Sequence, residues 1–88
     1  MTRADGQQVR RELIAFLQTI VRPGFDMARV ADHTNLMDHG ALDSLAVVLV
    51  IQYLETSHKI RFGDATIDPT RLTSVEKILG VIQLAAEE

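Results

Sequence analysis

Seven consecutive apolar residues, Leu45 to Ile51, follow directly on Asp43-Ser44, and the only charge between Leu45 and Ser57 is Glu55. Asp43 is a good helix N-cap, because its carboxylate can accept backbone N–H groups of the first turn. The stretch therefore reads as a helix that begins at Asp43 or Ser44 and ends near His58. Such a helix is apolar on more than one face, so it needs neighbours. One stripe, Val47, Val48, Ile51 and Leu54, is expected inside. A second, Ala46, Leu49 and Tyr53, lies apart from it and is either buried as well or offered to a partner.

Two further segments supply those neighbours. Val9, Leu13, Phe16, Leu17, Ile20 and Val21 recur at steps of three and four, which predicts a helix over about 6–21. Asp5 with Gln8 reads as its capping pair, and the "RPG" at 22–24 ends it, since proline cannot continue the ladder. The last helix starts after Thr73. "TSVE" at 73–76 fits the capping-box pattern, with Val75, Ile78, Leu79 and Ile82 on the inner face.

The connections carry apolar anchors. From Pro23 to Asp43 these are Phe25, Met27, Val30, Leu36, Met37 and Leu42; a connection this long is usually functional or hides a short helix. Between the second and last long helices, Ile60, Phe62, Ile67 and Leu72 anchor the chain. Pro69 can open a short extra helix there with Asp68 as its cap. No segment alternates as a strand does. The expected fold is all-α, a small bundle of three long helices and one short one.

The 88 residues amount to one domain, 1–88, with 47% apolar residues for one small core. That size leaves little room for a full active-site cleft and favours a carrier, a binding module or part of an oligomer. Nine Lys and Arg against twelve Asp and Glu, a balance of −3, speak against nucleic acid, as do the absence of a basic run and of Trp. The chain has no cysteine, hence no disulfide and no thiol of its own. The N-terminal "MTRADGQQVRR" lacks an apolar signal core, and the apolar run is far shorter than the about 20 residues needed to span a bilayer. A cytoplasmic location and a monomer are the expectation.

Ser44 has four competing roles. It can be simply part of a helix start. It can be a hydrolase nucleophile, since "DSL" resembles the Gly-Asp-Ser-Leu esterases. However, Gly40 is not adjacent to Asp43, and local spacing places neither His33, His39 nor His58 as a base. A metal role would involve Glu55 and His58, E-x-x-H on one helical face, yet a di-metal bundle requires a second such motif. The remaining role is attachment. A helix N-terminus stabilises an anion, and a phosphodiester on Ser44 would sit at that end.

The stretch "DHGALDSLAVVLVIQYLE", 38–55, resembles the phosphopantetheine attachment region of acyl and peptidyl carrier proteins, whose pattern is Asp-x-Gly-x-Asp-Ser-Leu with small variations. The likeness covers roughly 7–85, including the order and length of the helices and the "LTSVEKI" opening of the last one. The form Gly40-Ala41-Leu42-Asp43-Ser44 looks more like D-alanyl and other aminoacyl carriers than fatty-acid carriers. The resemblance implies a four-helix bundle of acyl-carrier type and no catalysis by the chain itself. It also implies a 4'-phosphopantetheine arm, moved from coenzyme A onto Ser44 by a phosphopantetheinyl transferase. Asp43 would help engage that transferase and its Mg²⁺, and Leu45 would flank the arm. Further partners would be an acyl- or aminoacyl-loading ligase and a downstream acyltransferase or synthase. A helical interaction module that is never modified is the rival reading.

The chain departs from fatty-acid carriers on its second helix. Those carry several acids there. Here Ala46, Leu49 and Tyr53 hold such places, and the expectation is an apolar docking surface, with dimerisation through the same stripe as its rival. His33 and His39 flank the loop and read most simply as exposed histidines. Met37 reads as core, and Arg61 and Arg71 as solvated cations able to meet an acidic partner.

Overall fold

The computed structural model describes residues 3–60 and 69–86. Among them are three α-helices and no strand: α1 Arg3–Ile20, α2 Ser44–Ser57 and α3 Val75–Ala86. Two single 3-10 turns, Met27–Arg29 and Pro69–Leu72, interrupt the connections. The expected short extra helix takes up only the second of these turns among the described residues. Arg61, Phe62, Ile67 and Asp68, which the sequence reading used, lie outside the described residues.

Helix α1 begins earlier than its pattern predicts. Arg3 and Ala4 do not break a helix, so the ladder runs through Asp5 instead of starting there. Asp5 thus lies within the helix and not at its start; the Gln8 side-chain amide donates to Glu12 one turn on, at 2.9 Å. The end of α1 is as expected. Phe25 N–H donates to Arg22 O at 3.0 Å across Pro23-Gly24. Gly24 has φ +90°, the backbone that a Pro-Gly type II turn requires.

The core forms where the three helices meet. Leu13 and Leu17 from α1, Val50 and Leu54 from α2, and Val75 and Ile78 from α3 are fully buried, with Leu36 and Leu72 added by the connections. Each such side chain contributes about 1.5–3 kcal/mol by leaving water. The long connection is pinned as its apolar residues predict: Met27, Leu36 and Leu42 are buried, while Phe25, Val30 and Met37 pack at the margin. Gln18 adds a clasp from α1. Its Oε1 accepts from Met27 N–H at 2.9 Å and its Nε2 donates to Phe25 O at 2.7 Å.

The face of α2 that turns inward differs from the one expected. Ala46, Val47, Val50 and Leu54 are buried, Ile51 is half-buried, and Val48 points to solvent. In a run without a polar residue the periodicity has no phase of its own. The cap at Asp43 and packing against α1 set it instead. Ala46 is therefore a core residue and not part of a docking stripe.

At α3 the cap is displaced by one residue. Ser74 Oγ accepts from Lys77 N–H at 3.1 Å, so Ser74 and not Thr73 caps the helix. The Thr73 hydroxyl donates to Thr70 O, and Glu76 N–H goes to Asp32 O at 2.9 Å. Both polar side chains, Thr73 and Ser74, are buried with their hydrogen bonds made. No helix among the described residues is long and apolar enough to cross a membrane.

Candidate functional site

The residues before Ser44 form a clamped turn. Asn35 Oδ1 accepts from Asp38 N–H at 2.9 Å and starts it. Gly40, at φ +74°, ends it: Gly40 N–H donates to Met37 O at 3.0 Å and Ala41 N–H to Leu36 O at 2.9 Å. That pair of bonds is a Schellman closure, and the left-handed residue in it is where glycine has no Cβ penalty. Backbone bonds then fix the turn to its surroundings. Leu36 N–H donates to Thr73 O at 2.7 Å, just before α3, and Arg22 N–H donates to Ala41 O at 3.0 Å, just after α1. The buried side chains of Leu36, Ala41 and Leu42 lie beneath.

From this base the chain rises to the surface. Asp43 is extended (φ −118°) and exposed; its Oδ1 accepts from Ala46 N–H at 2.8 Å, as the N-cap reading requires. Ser44 is the first residue of α2 and is exposed. Among the described residues no side chain hydrogen-bonds its hydroxyl. Leu45 follows at 69% exposure. The three candidate attachment residues, Asp43, Ser44 and Leu45, are thus consecutive surface residues over a buried footing.

The predicted docking residues separate. Leu49 is at the surface, at 37% exposure, with Leu45 one turn before it and Val48 beside it. Tyr53 is half-buried and stacked on Phe16 of α1. The exposed apolar patch on α2 is therefore Leu45, Val48 and Leu49, and the missing signal was again the phase of the run.

Charge near the loop is sparse. Arg10 of α1 holds Asp32 through two bonds, Nη2 to Oδ1 at 2.6 Å and Nε to Oδ2 at 3.0 Å. This hydrogen bonding holds the Asp32 carboxyl below its ordinary range, against a smaller opposing effect of burial. His33 and His39 are both exposed. Glu55 is exposed, whereas His58 is half-buried with its ring edge toward Tyr53, 5.5 Å between centroids. Among the described residues no three His, Cys, Asp or Glu side chains gather in a way that would hold a metal ion.

Chemically, the arrangement offers an exposed primary hydroxyl at a helix N-terminus, next to a carboxylate already occupied as a cap. A negatively charged substituent on that oxygen would lie at the positive end of α2. No protein-family model, curated protein or solved structure matched the chain in comparison.

Proposed function

We propose that the chain is an acyl or aminoacyl carrier, modified on Ser44 with 4'-phosphopantetheine. One observation carries the reading: Ser44 is exposed, is the first residue of α2, and sits on a turn fixed by backbone hydrogen bonds to the flanks of both α1 and α3. The finer fold reading, a bundle of acyl-carrier type with the Pro69–Leu72 turn in place of its short helix, belongs to the same proposal.

The chain's own residues have limited tasks. On modification the Ser44 oxygen would bond to the pantetheine-side phosphorus of coenzyme A and lose its proton, while the pyrophosphate bond breaks and adenosine 3',5'-bisphosphate leaves. The first turn of α2 favours the resulting negative charge. Asp43 keeps that turn wound by capping Ala46 N–H, and its exposure leaves the second oxygen able to meet a modifying enzyme's Mg²⁺. Leu45 gives the root of the arm an apolar neighbour. Once attached, the arm supplies the terminal thiol that this cysteine-free chain lacks, and the thiol holds cargo as a thioester. Tethering then raises the effective concentration of that cargo at each partner enzyme, first a loading ligase and then an acyltransferase or synthase.

The test is intact mass after incubation with coenzyme A, Mg²⁺ and a broad-specificity phosphopantetheinyl transferase, with Ser44→Ala in parallel. The expected result is the gain of one phosphopantetheine by the native chain and none by the variant. No gain with several transferases, on a chain shown to be folded, would turn the assignment to an unmodified interaction module.

A further inference from the structure

A groove of about 390 Å³ lies between the Pro69–Leu72 turn and α3, lined by Thr70, Arg71, Lys77, Gly80 and Val81. Among the described residues Arg71 has no side-chain hydrogen bond or ion pair, Lys77 has a single one to a backbone carbonyl, and Gly80 stands where a Cβ would fit. Gly80 stands inside α3, where glycine is disfavoured relative to alanine. It is exposed, and a Cβ added there would meet no atom of the described residues within 4 Å, so no contact among them requires its small size. Lys77 places a cation in the first turn of α3, against the helix macrodipole. Its Nζ donates to Thr70 O at 3.1 Å, and among the described residues no carboxylate pairs with either Lys77 or the exposed Arg71. One turn beyond Gly80, Leu84 is 55% exposed.

Lys77, Gly80, Val81 and Leu84 are spaced as one helical stripe, at steps of three, four and seven. The stripe runs from cationic through bare backbone to apolar over about 10 Å of helix rise. We propose that this stripe is a docking site for a helix of a partner protein, one carrying an acidic residue about two turns from an apolar one. The acid meets Arg71 and Lys77, the partner's backbone passes close over Gly80, and its apolar residue covers Leu84. Charge complementarity selects this occupant. Arg71 and Lys77 bring two cations to this face, which favours an acidic segment, and the net charge of −3 disfavours a second copy of the chain. The inference does not depend on modification of Ser44.

The probe is a synthetic amphipathic helical peptide with glutamates placed seven residues from a leucine, titrated into the ¹⁵N-labelled full chain. A second peptide has lysines in place of the glutamates. The glutamate peptide should shift the amides of Arg71, Lys77, Gly80, Val81 and Leu84, and its Kd should rise with added salt. Replacing both Arg71 and Lys77 by Ala should weaken it roughly five- to tenfold. Gly80→Leu should abolish binding without lowering Tm, since the position is exposed and a Cβ there meets no described atom within 4 Å; a merely tolerated glycine would leave binding unchanged. The proposal is overturned by equal binding of the lysine peptide, by retained binding in Gly80→Leu, by no binding at millimolar peptide, or by sedimentation showing that the free chain already dimerises through this face.

Discussion

The ring of Tyr53 lies on that of Phe16 with 4.2 Å between centroids and 10° between planes, and this stack joins the second half of α2 to α1. Burial there disfavours the phenolate and raises the Tyr53 pKa above the ordinary value near 10, with Glu12 adding a smaller push in the same direction. Because the folded pKa is the raised one, the contribution to stability is complete below about pH 10 and is lost as pH rises through the folded value. The chain has one Tyr and no Trp, so ultraviolet titration reads this group alone. The expected midpoint lies above that of the urea-unfolded chain. Coincident midpoints would place Tyr53 in water.

Substitutions on α2 should sort by the observed face. Leu49→Glu should change stability by less than about 1 kcal/mol, as surface changes do, and impair loading by a partner enzyme. Ala46→Glu should prevent folding, because it puts an unpaired carboxylate where only 6% of the residue is exposed. Circular dichroism melts of the two variants make the comparison. Similar melts would mean that α2 is turned differently from the structure described.

Gly40→Ala should destabilise the chain by about 1 kcal/mol, because φ +74° is costly for a residue with a Cβ. Gly40→Asn should lose less, since Asn tolerates that region. Urea midpoints at constant slope give the numbers. If Ser44 modification proceeds as proposed, its rate should fall in the same order.

The Arg10–Asp32 pair sets an acid limit. The Asp32 pKa is depressed in the folded chain, so its contribution is present above the unfolded value near 4 and disappears as pH falls through the folded one. Asp32→Asn should therefore lower Tm at pH 7, and the gap should narrow as pH falls below the unfolded value near 4. Both side chains are about two-fifths exposed, so salt should narrow the difference at pH 7. A gap that does not narrow in acid would assign the effect of the variant to something other than ionisation.

His58 Nε2 is buried and has no hydrogen-bond partner among the described residues. The capping bond at this end of α2, His58 N–H to Leu54 O at 3.1 Å, belongs to the backbone and survives substitution. His58→Phe should keep the edge contact with Tyr53, remove the unsatisfied atom and stabilise the chain by about 1 kcal/mol. Chemical denaturation measures it, and a loss of stability would reveal a polar role for the ring.

What could be read from the sequence divides by the kind of signal. Proline, glycine and aspartate act locally, so the end of α1 before Pro23-Gly24 and the start of α2 at Asp43 or Ser44 were legible to within a residue. The inner face of α3 was legible too, because Glu76, Lys77 and Gln83 mark its outer side. The face of α2 was not, because its apolar run carries no such mark. The cap of α3 was misplaced by one residue because Thr73 and Ser74 are both competent caps. The choice depends on Leu36, which takes the Thr73 carbonyl from a distant part of the chain. The Gln18 clasp was equally hidden, since an exposed glutamine gives no sign of which backbone it will reach. Exposure of Ser44 followed from the cap. The anchoring of its loop to two other segments did not.

That anchoring is made of main-chain atoms, Leu36 N–H to Thr73 O and Arg22 N–H to Ala41 O. Amides and carbonyls are the same in every residue but proline. Exposed side chains between these anchor points can therefore be exchanged while the path of the chain is kept. Length is another matter. One residue gained or lost between Leu36 and Asp43 breaks the register of the closure at Gly40 and moves the start of α2. Outside Gly40 and Asp43 the loop's exposed positions are thus permissive to substitution while its length is strict, and related chains should vary there in residue identity far more than in residue number.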